Sequence, residues 1–575
     1  MSNRQRPPDG PPVTLDDAAD ECQSRQRTDV PPMVSSSPPA RPMSETRSGT
    51  VWLGVILAAM AAGMGWGIRG QYGHETGAMM AGLLFSLVIV FLYGSQLTSL
   101  TGARAAALCA LGISIGGSMT YAQTVGLTKD APLIGNWEAL QWGMLGLFIK
   151  GGIWIGYGGV LLGIGLSGIR YRPLEMILLL LAMLILFFFG VWLLNSPYDP
   201  ANKVLPYIYF SDNFDFEPDE AKPRPEVWGG LLLALVTLIG YARVAKGDRL
   251  AFRLGVWGFL AGAIGFTSGQ SLQSYHEWNP EKFAEGGVFA SLPKNINWWN
   301  FMETGFGATW GAILALGVGL NRHLIEPPED PDVVEITPPA EWLLVLVHVA
   351  SLVAHEFHEI VIFQKVLQIS RLDSFMSLAL TMVLIPVTCV AAGRYWPYLM
   401  TLPVIAVPIC GKTVRELCYN ADPPELSMLY GVLAYIVLPL TLCTLVAVLL
   451  ARRGMYGKGA RDFSRWSLLL ATWVYFWLNF AFFRYPWPWE PVAEWTGRTP
   501  NGLVFAVCAV VLTLAALALG WRRNNSAPPI AELAAKDVPP GSNRPRPVPK
   551  PVPSQAAPQR PASTPNQGRP KPDKP

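Results

Sequence analysis

The chain reads as an all-α polytopic membrane protein of about fourteen transmembrane helices, with Gly-rich duplicated helical hairpins in its amino-terminal half and disordered tails at both ends. Three observations predict this. Of 575 residues, 51% are hydrophobic and only 15% charged, too apolar a balance for a water-soluble chain of this length. Apolar runs of about 18 residues or more, enough to cross about 30 Å of hydrocarbon, recur along it. Basic residues fall in alternate loops, the pattern that short cytoplasmic loops impose.

Residues 1–48 are rich in Pro, Ser and mixed charge without an apolar stretch, so they read as a disordered cytoplasmic tail, and the first span as an uncleaved anchor. Apolar runs then lie near 51–68, 76–98, 103–122, 142–167, 173–195, 227–244, 251–272 and 300–321, giving a Gly-rich bundle of about eight spans over 49–322. An acidic stretch from Glu326 to Glu335, closed by Pro338-Pro339, marks a linker over 323–339. A second bundle of about six spans follows over 340–524, with runs near 340–364, 373–392, 395–411, 427–451, 466–484 and 502–521. Residues 525–575 are a Pro-rich basic tail that cannot bury a core.

With the amino terminus cytoplasmic, the inner turns carry Arg104, Arg170 and Arg172, Arg243 to Arg253, Arg322, Arg394, Arg452 to Arg461, and Arg522 with Arg523. The acidic segment Asp212 to Glu226 and the Trp-rich segment Tyr485 to Trp495 then lie outside. Both termini are cytoplasmic in this reading, and the protein resides in the cell (inner or plasma) membrane.

The first, third and seventh spans resemble one another. Ala62-Gly63 and Gly70-Gln71 are matched at the same spacing by Ala261-Gly262 and Gly269-Gln270, each followed by a His-Glu pair. After the third and seventh spans come Asn136-Trp137 and Asn297-Trp298, and the returning helices close with Leu162-Gly-Ile-Gly-Leu166 and Leu316-Gly-Val-Gly-Leu320. Small residues recur in membrane helices because they let backbones approach. The ordered combination of Gly-Gln, His-Glu and Asn-Trp favours a duplicated hairpin over that general cause.

Four of the six histidines precede a glutamate: His74-Glu75, His276-Glu277, His355-Glu356 and His358-Glu359. Ionisable residues inside a membrane are costly and mark functional sites. In the ninth span His348, His355 and Glu359 share one helical stripe with His358 beside it, a set suited to a divalent transition metal or a proton relay. His74 is a further candidate metal ligand, and His355, Glu359 and Glu75 are the candidate catalytic groups. The competing explanation is polar glue between helices. The second His comes at i+3 rather than i+4, so the pattern is not that of a zinc metalloprotease.

The stretch Gly63 to Gly77 contains Arg69, Gln71, His74 and Glu75 among six glycines. A dinucleotide-binding reading fails because the segment lies in an apolar span with no strand before it. Such a glycine density instead permits an unwound or re-entrant turn whose amides, with Arg69, can hold an anion; a tight helix crossing is the alternative. Gly411-Lys412-Thr413 imitates a nucleotide-binding loop but has Ala406 where that loop needs glycine. Gln270, Glu303 and Arg484, with the rings of Trp487 and Trp489, complete the candidate substrate-binding set; the tryptophans taken alone read as interfacial anchors. The seven cysteines lack a C-x-x-C pair, and Cys410 and Cys418, read as flanking an outer loop, are placed to form a disulfide in an oxidising compartment.

A net charge of +3 points to no nucleic-acid partner; the partners expected are the lipid bilayer and a small molecule. The one-sided placement of His, Glu and Arg favours a membrane-embedded enzyme acting on a lipid-linked or polar substrate at the outer leaflet. A secondary transporter of a small polar solute competes on span number, and a membrane scaffold or sensor is the third reading.

Overall fold

The computed structural model describes residues 45–292, 296–356, 383–420, 424–484, 491 and 495–524. Those residues are helical, with no strand beyond two isolated bridges, Thr98 to Gly459 and Asp199 to Val204. The helices are α1 (Glu45–Arg69), α2 (Ala78–Tyr93), α3 (Ser99–Gly116), α4 (Ala122–Lys129), α5 (Trp137–Leu166), α6 (Pro173–Leu194), α7 (Trp228–Val244) and α8 (Arg249–Trp278). After a short turn come α9 (Trp298–Asn321), α10 (Pro338–Glu356), α11 (Ile385–Ala392), α12 (Trp396–Asn420), α13 (Met428–Met455), α14 (Ala460–Phe482) and α15 (Thr499–Asn524). The described residues up to Thr513 form one unit and those from Leu514 a second.

Among the described residues, nine helices are long and apolar enough to cross a membrane, and three shorter ones, in α2, α7 and α10, are also apolar. The architecture fits a multi-pass helical membrane protein. α14 is not among these helices and has a different composition. Its Ser464, Ser467, Thr472 and Asn479 are buried while Trp466, Trp473 and Trp477, spaced on one stripe, are exposed. Polar-in and apolar-out is the inverse of a water-soluble helix, and it places hydrogen-bonding groups where other helices can meet them.

Glycines set the helix crossings. On the α5 to α8 seam, a methyl at Gly151 would meet the Gly262 backbone, one at Gly258 would approach Gly156 and Gly159, and one at Gly163 would overlap Ala251. α1 and α9 interlock in the same way, Gly307 and Gly311 lying against Ala62 and Ala58. Where apolar surface gains nothing by leaving lipid, dispersion contacts between close backbones hold helices together, and a side chain would lever them apart.

α12 extends beyond the expected 395–411 to Asn420, with wide turns at Met400–Val404 and Glu416–Asn420 beside Pro403 and Pro408. This overturns the disulfide expectation. Cys410 and Cys418 are both free and lie on one continuous helix, where eight residues separate them by about 12 Å along the axis, well beyond what a disulfide bridges.

Candidate functional site

α1 ends at Arg69, and the chain turns through Gly70 to Gly77 before α2 begins. Gly73 takes φ +100, a left-handed value that glycine alone adopts without strain. Gly117 is equally obligatory, because a methyl there would overlap the His74 carbonyl. α2 has only 16 residues, about 24 Å of helix, and all but its last are buried. The turn between the two helices is recessed among its neighbours, Tyr72 and Thr76 being fully buried.

Arg69 is 1% exposed. Its Nη2 donates to Tyr121 Oη at 3.2 Å and to Glu303 Oε1 at 3.3 Å, and Nη1 lies 3.5 Å from His74 Nδ1. The guanidinium sits 4.8 Å from the Trp66 ring and 5.2 Å from Trp154, contacts that offset part of the cost of burying a cation. Tyr121 packs at 4.8 Å against His74 and 5.5 Å against Trp154, and Trp154 is fixed by its own indole bond to the Ile113 carbonyl at 2.9 Å.

Glu303 is placed by the start of α9. The Asn297 side chain caps that helix by accepting from Asn300 N. Asn300 Nδ2 then donates to the Gly67 carbonyl at 2.6 Å and to Glu303 Oε2 at 3.2 Å, tying α9 to the end of α1. Trp299 Nε1 donates to Glu303 Oε1 at 3.2 Å, so the carboxylate accepts from three side chains. α5 opens alike, Asn136 capping through Glu138 N and Ala139 N.

From the other side Lys412 Nζ donates to the Tyr72 carbonyl at 2.9 Å, and Tyr72 Oη pairs with Thr413 at 3.2 Å. Lys412 and Arg69 both act on His74. The His74 side chain is exposed on its outer edge, but loss of water on the protein side, then Arg69, then Lys412, lowers its pKa from 6.5 to about 3. It is a neutral imidazole at physiological pH. Gln71 is exposed beside it, and Glu75 is half-buried within electrostatic reach of Arg69 and Tyr121. At this centre Arg69 Nε and Asn300 Oδ1 are buried with no hydrogen-bond partner among the described residues.

The structure thus brings together Arg69, His74, Glu75 and Glu303 from the sequence-derived set. Gln270 is buried elsewhere, donating to Thr128 at 2.8 Å and Ser274 at 3.3 Å. Arg484 ends α14 and pairs with Glu425 and, at 3.9 Å, with Glu416. His358, Glu359, Trp487 and Trp489 lie outside the described residues, as does the His355 side chain. Among the described residues no three His, Cys, Asp or Glu side chains group as metal ligands. Sequence reasoning missed Tyr121, Trp154 and Asn300, and it set Lys412 aside as part of a false nucleotide motif. Comparison of the chain with family models, with curated proteins and with solved structures finds no match.

Proposed function

We propose that the protein is a multi-pass membrane enzyme acting on a lipid-linked or polar substrate at the outer leaflet, with its centre at the recessed turn around Arg69. The observation that supports this most is the pair of buried, unpartnered polar atoms, Arg69 Nε and Asn300 Oδ1, beside a neutral imidazole. Buried donors and acceptors are costly unless something satisfies them, and polar atoms converging beside an aromatic wall are what a small-molecule site offers. In this reading His74, which burial, Arg69 and Lys412 make too weak a base to take a proton, hydrogen-bonds the substrate as a neutral ring, Arg69 and Tyr121 orient the polar group, and Glu303 fixes the guanidinium. Glu75, with His355 and Glu359, is the candidate acid or base; alternatively, a divalent transition metal held by His74, His355, His358 and Glu359 would polarise the same substrate. Gln71, Arg484, Trp487 and Trp489 would extend the binding surface outward, whereas Gln270, buried and bonded to Thr128 and Ser274, would not.

The topology belonging to this proposal has fourteen spans in two bundles, 49–322 and 340–524, with both tails cytoplasmic in the cell membrane. The matching caps of Asn136 and Asn297 support a duplicated hairpin. A secondary transporter is the second reading, favoured by the recessed non-helical turn between α1 and α2, since irregular backbone inside a helical bundle commonly lines transport sites.

Untargeted profiling of lipid and polar extracts from cells making the wild type or His74→Gln tests the proposal. An enzyme that positions its substrate through His74 predicts a product species that disappears with the substitution. Unchanged species with altered distribution across the membrane would favour the transporter. Because His74 stays neutral down to about 3, the rate of product formation should show no acid limb near the ordinary histidine value. A limb there, lost in His74→Gln, would contradict the assigned charge state.

A further inference from the structure

A second site lies at the other end of α3, independent of the Arg69 centre. A cavity of about 580 Å³ opens between Arg104 of α3, Ser167 to Arg172 at the α5 to α6 junction, Met176 of α6, and the acidic linker from Glu326 to Glu335. Arg104 donates from Nη2 to the carbonyls of Val333 at 2.7 Å and Gly393 at 3.1 Å, while its Nε is buried without a partner among the described residues. Arg170 pairs with Glu335, both side chains exposed by more than a third. Arg172 lies exposed at the residue capping α6.

What begins at the mouth of this cavity is apolar. α6 has the highest mean hydropathy of the nine candidate spans, 3.0, and the least buried share but one, 28%. Its Leu174, Leu178, Leu181 and Ile185 are exposed by 67, 58, 41 and 69%. Their spacing of four, three and four puts them on one stripe running away from Arg170 and Arg172.

We propose that this cavity holds the phosphate of an anionic phospholipid whose acyl chains lie along the α6 stripe. Guanidinium groups match phosphate oxygens in charge and geometry, and basic pockets between membrane helices take anionic headgroups. Glu335 marks the place: its carboxylate occupies an anion position on Arg170, in an exposed pair that contributes little and exchanges readily. The neighbouring Glu326, Glu329 and Asp330 repel a free anion. A lipid overcomes that repulsion because its chains are already buried against α6, whereas a soluble phosphate has no such hold.

The test uses full-length protein in neutral detergent and compares retention of phosphatidylglycerol and phosphatidylcholine of identical acyl chains by native mass spectrometry. The wild type should retain the anionic lipid roughly tenfold more, and Arg170→Gln with Arg172→Gln should reduce it to the neutral level. Glu335→Gln should raise retention by freeing Arg170. Equal retention of the two lipids, an unaltered preference in the arginine variant, or displacement of the lipid by inorganic phosphate alone would overturn the proposal. Should the arginine variant fail to fold, Glu335→Gln decides: unchanged or weaker retention of phosphatidylglycerol rejects the site.

Discussion

Arg69 and Glu303 are 1% exposed each as residues, and the charges hold only because each completes the other. Removing one partner leaves a buried charge, which costs about 3–5 kcal/mol, whereas replacing both with apolar side chains of similar size is close to neutral. Arg69→Met and Glu303→Leu made singly should therefore lose folded protein, and the double variant should recover it. Monodispersity and thermal unfolding in detergent measure the recovery. If the pair serves the site, the recovered double variant remains inactive in the profiling assay; regained activity would reduce the pair to helix glue. Arg69 and Glu303 were legible in the sequence because a charge within an apolar run has few explanations. Tyr121, Trp154 and Asn300 were not, since an aromatic or amide near a span end looks the same whether it anchors the interface or lines a cavity. Lys412 was hidden more deeply: only the packing of α12 beside the turn brings its ammonium to the Tyr72 carbonyl.

At the scale of helices, the glycine pattern was readable as close packing, and the structure says which backbone each glycine admits. Gly262 faces the Gly151 carbonyl across the α5 to α8 seam, where an added methyl has no room, while Gly240 on α7 has nothing within 4 Å of its missing side chain. Gly262→Ala should destabilise by about 1–3 kcal/mol through overpacking. Gly240→Ala should be neutral or stabilise by up to about 1 kcal/mol, since alanine is the better helix former. Thermal unfolding of the two variants side by side checks this, and equal effects would show that helix propensity rather than the seam decides. The Asn-Trp pairs were legible as a repeated motif but not as caps, a role that appears only once Asn136 and Asn297 are seen accepting from the first turn of α5 and α9. The extent of α12 was underestimated because its apolar run ends at Gly411-Lys412, yet the helix continues through polar residues past both cysteines, with wide turns absorbing Pro403 and Pro408.

For the whole molecule, the basic loops argue orientation and the helices supply the number of crossings between any two points. Asp215 lies exposed in the segment pinned by the buried Lys150 to Glu226 pair at 2.6 Å, and Tyr456 is 87% exposed between α13 and α14. The proposed topology puts seven crossings between them, so the two points must face opposite compartments. Cys109, Cys389, Cys410, Cys418, Cys443 and Cys508 are buried and give little background to a thiol reagent; Cys22 is replaced by Ser. An impermeant maleimide added to intact cells should label Asp215→Cys, and should label Tyr456→Cys only after permeabilisation. Labelling of both positions from one side would mean an even number of crossings and would break the alternation on which the fourteen-span topology rests. Labelling of Tyr456→Cys from outside with Asp215→Cys protected would keep the alternation and invert the protein, turning the recessed Arg69 site toward the cytoplasm and removing the outer-leaflet substrate from the proposed reaction.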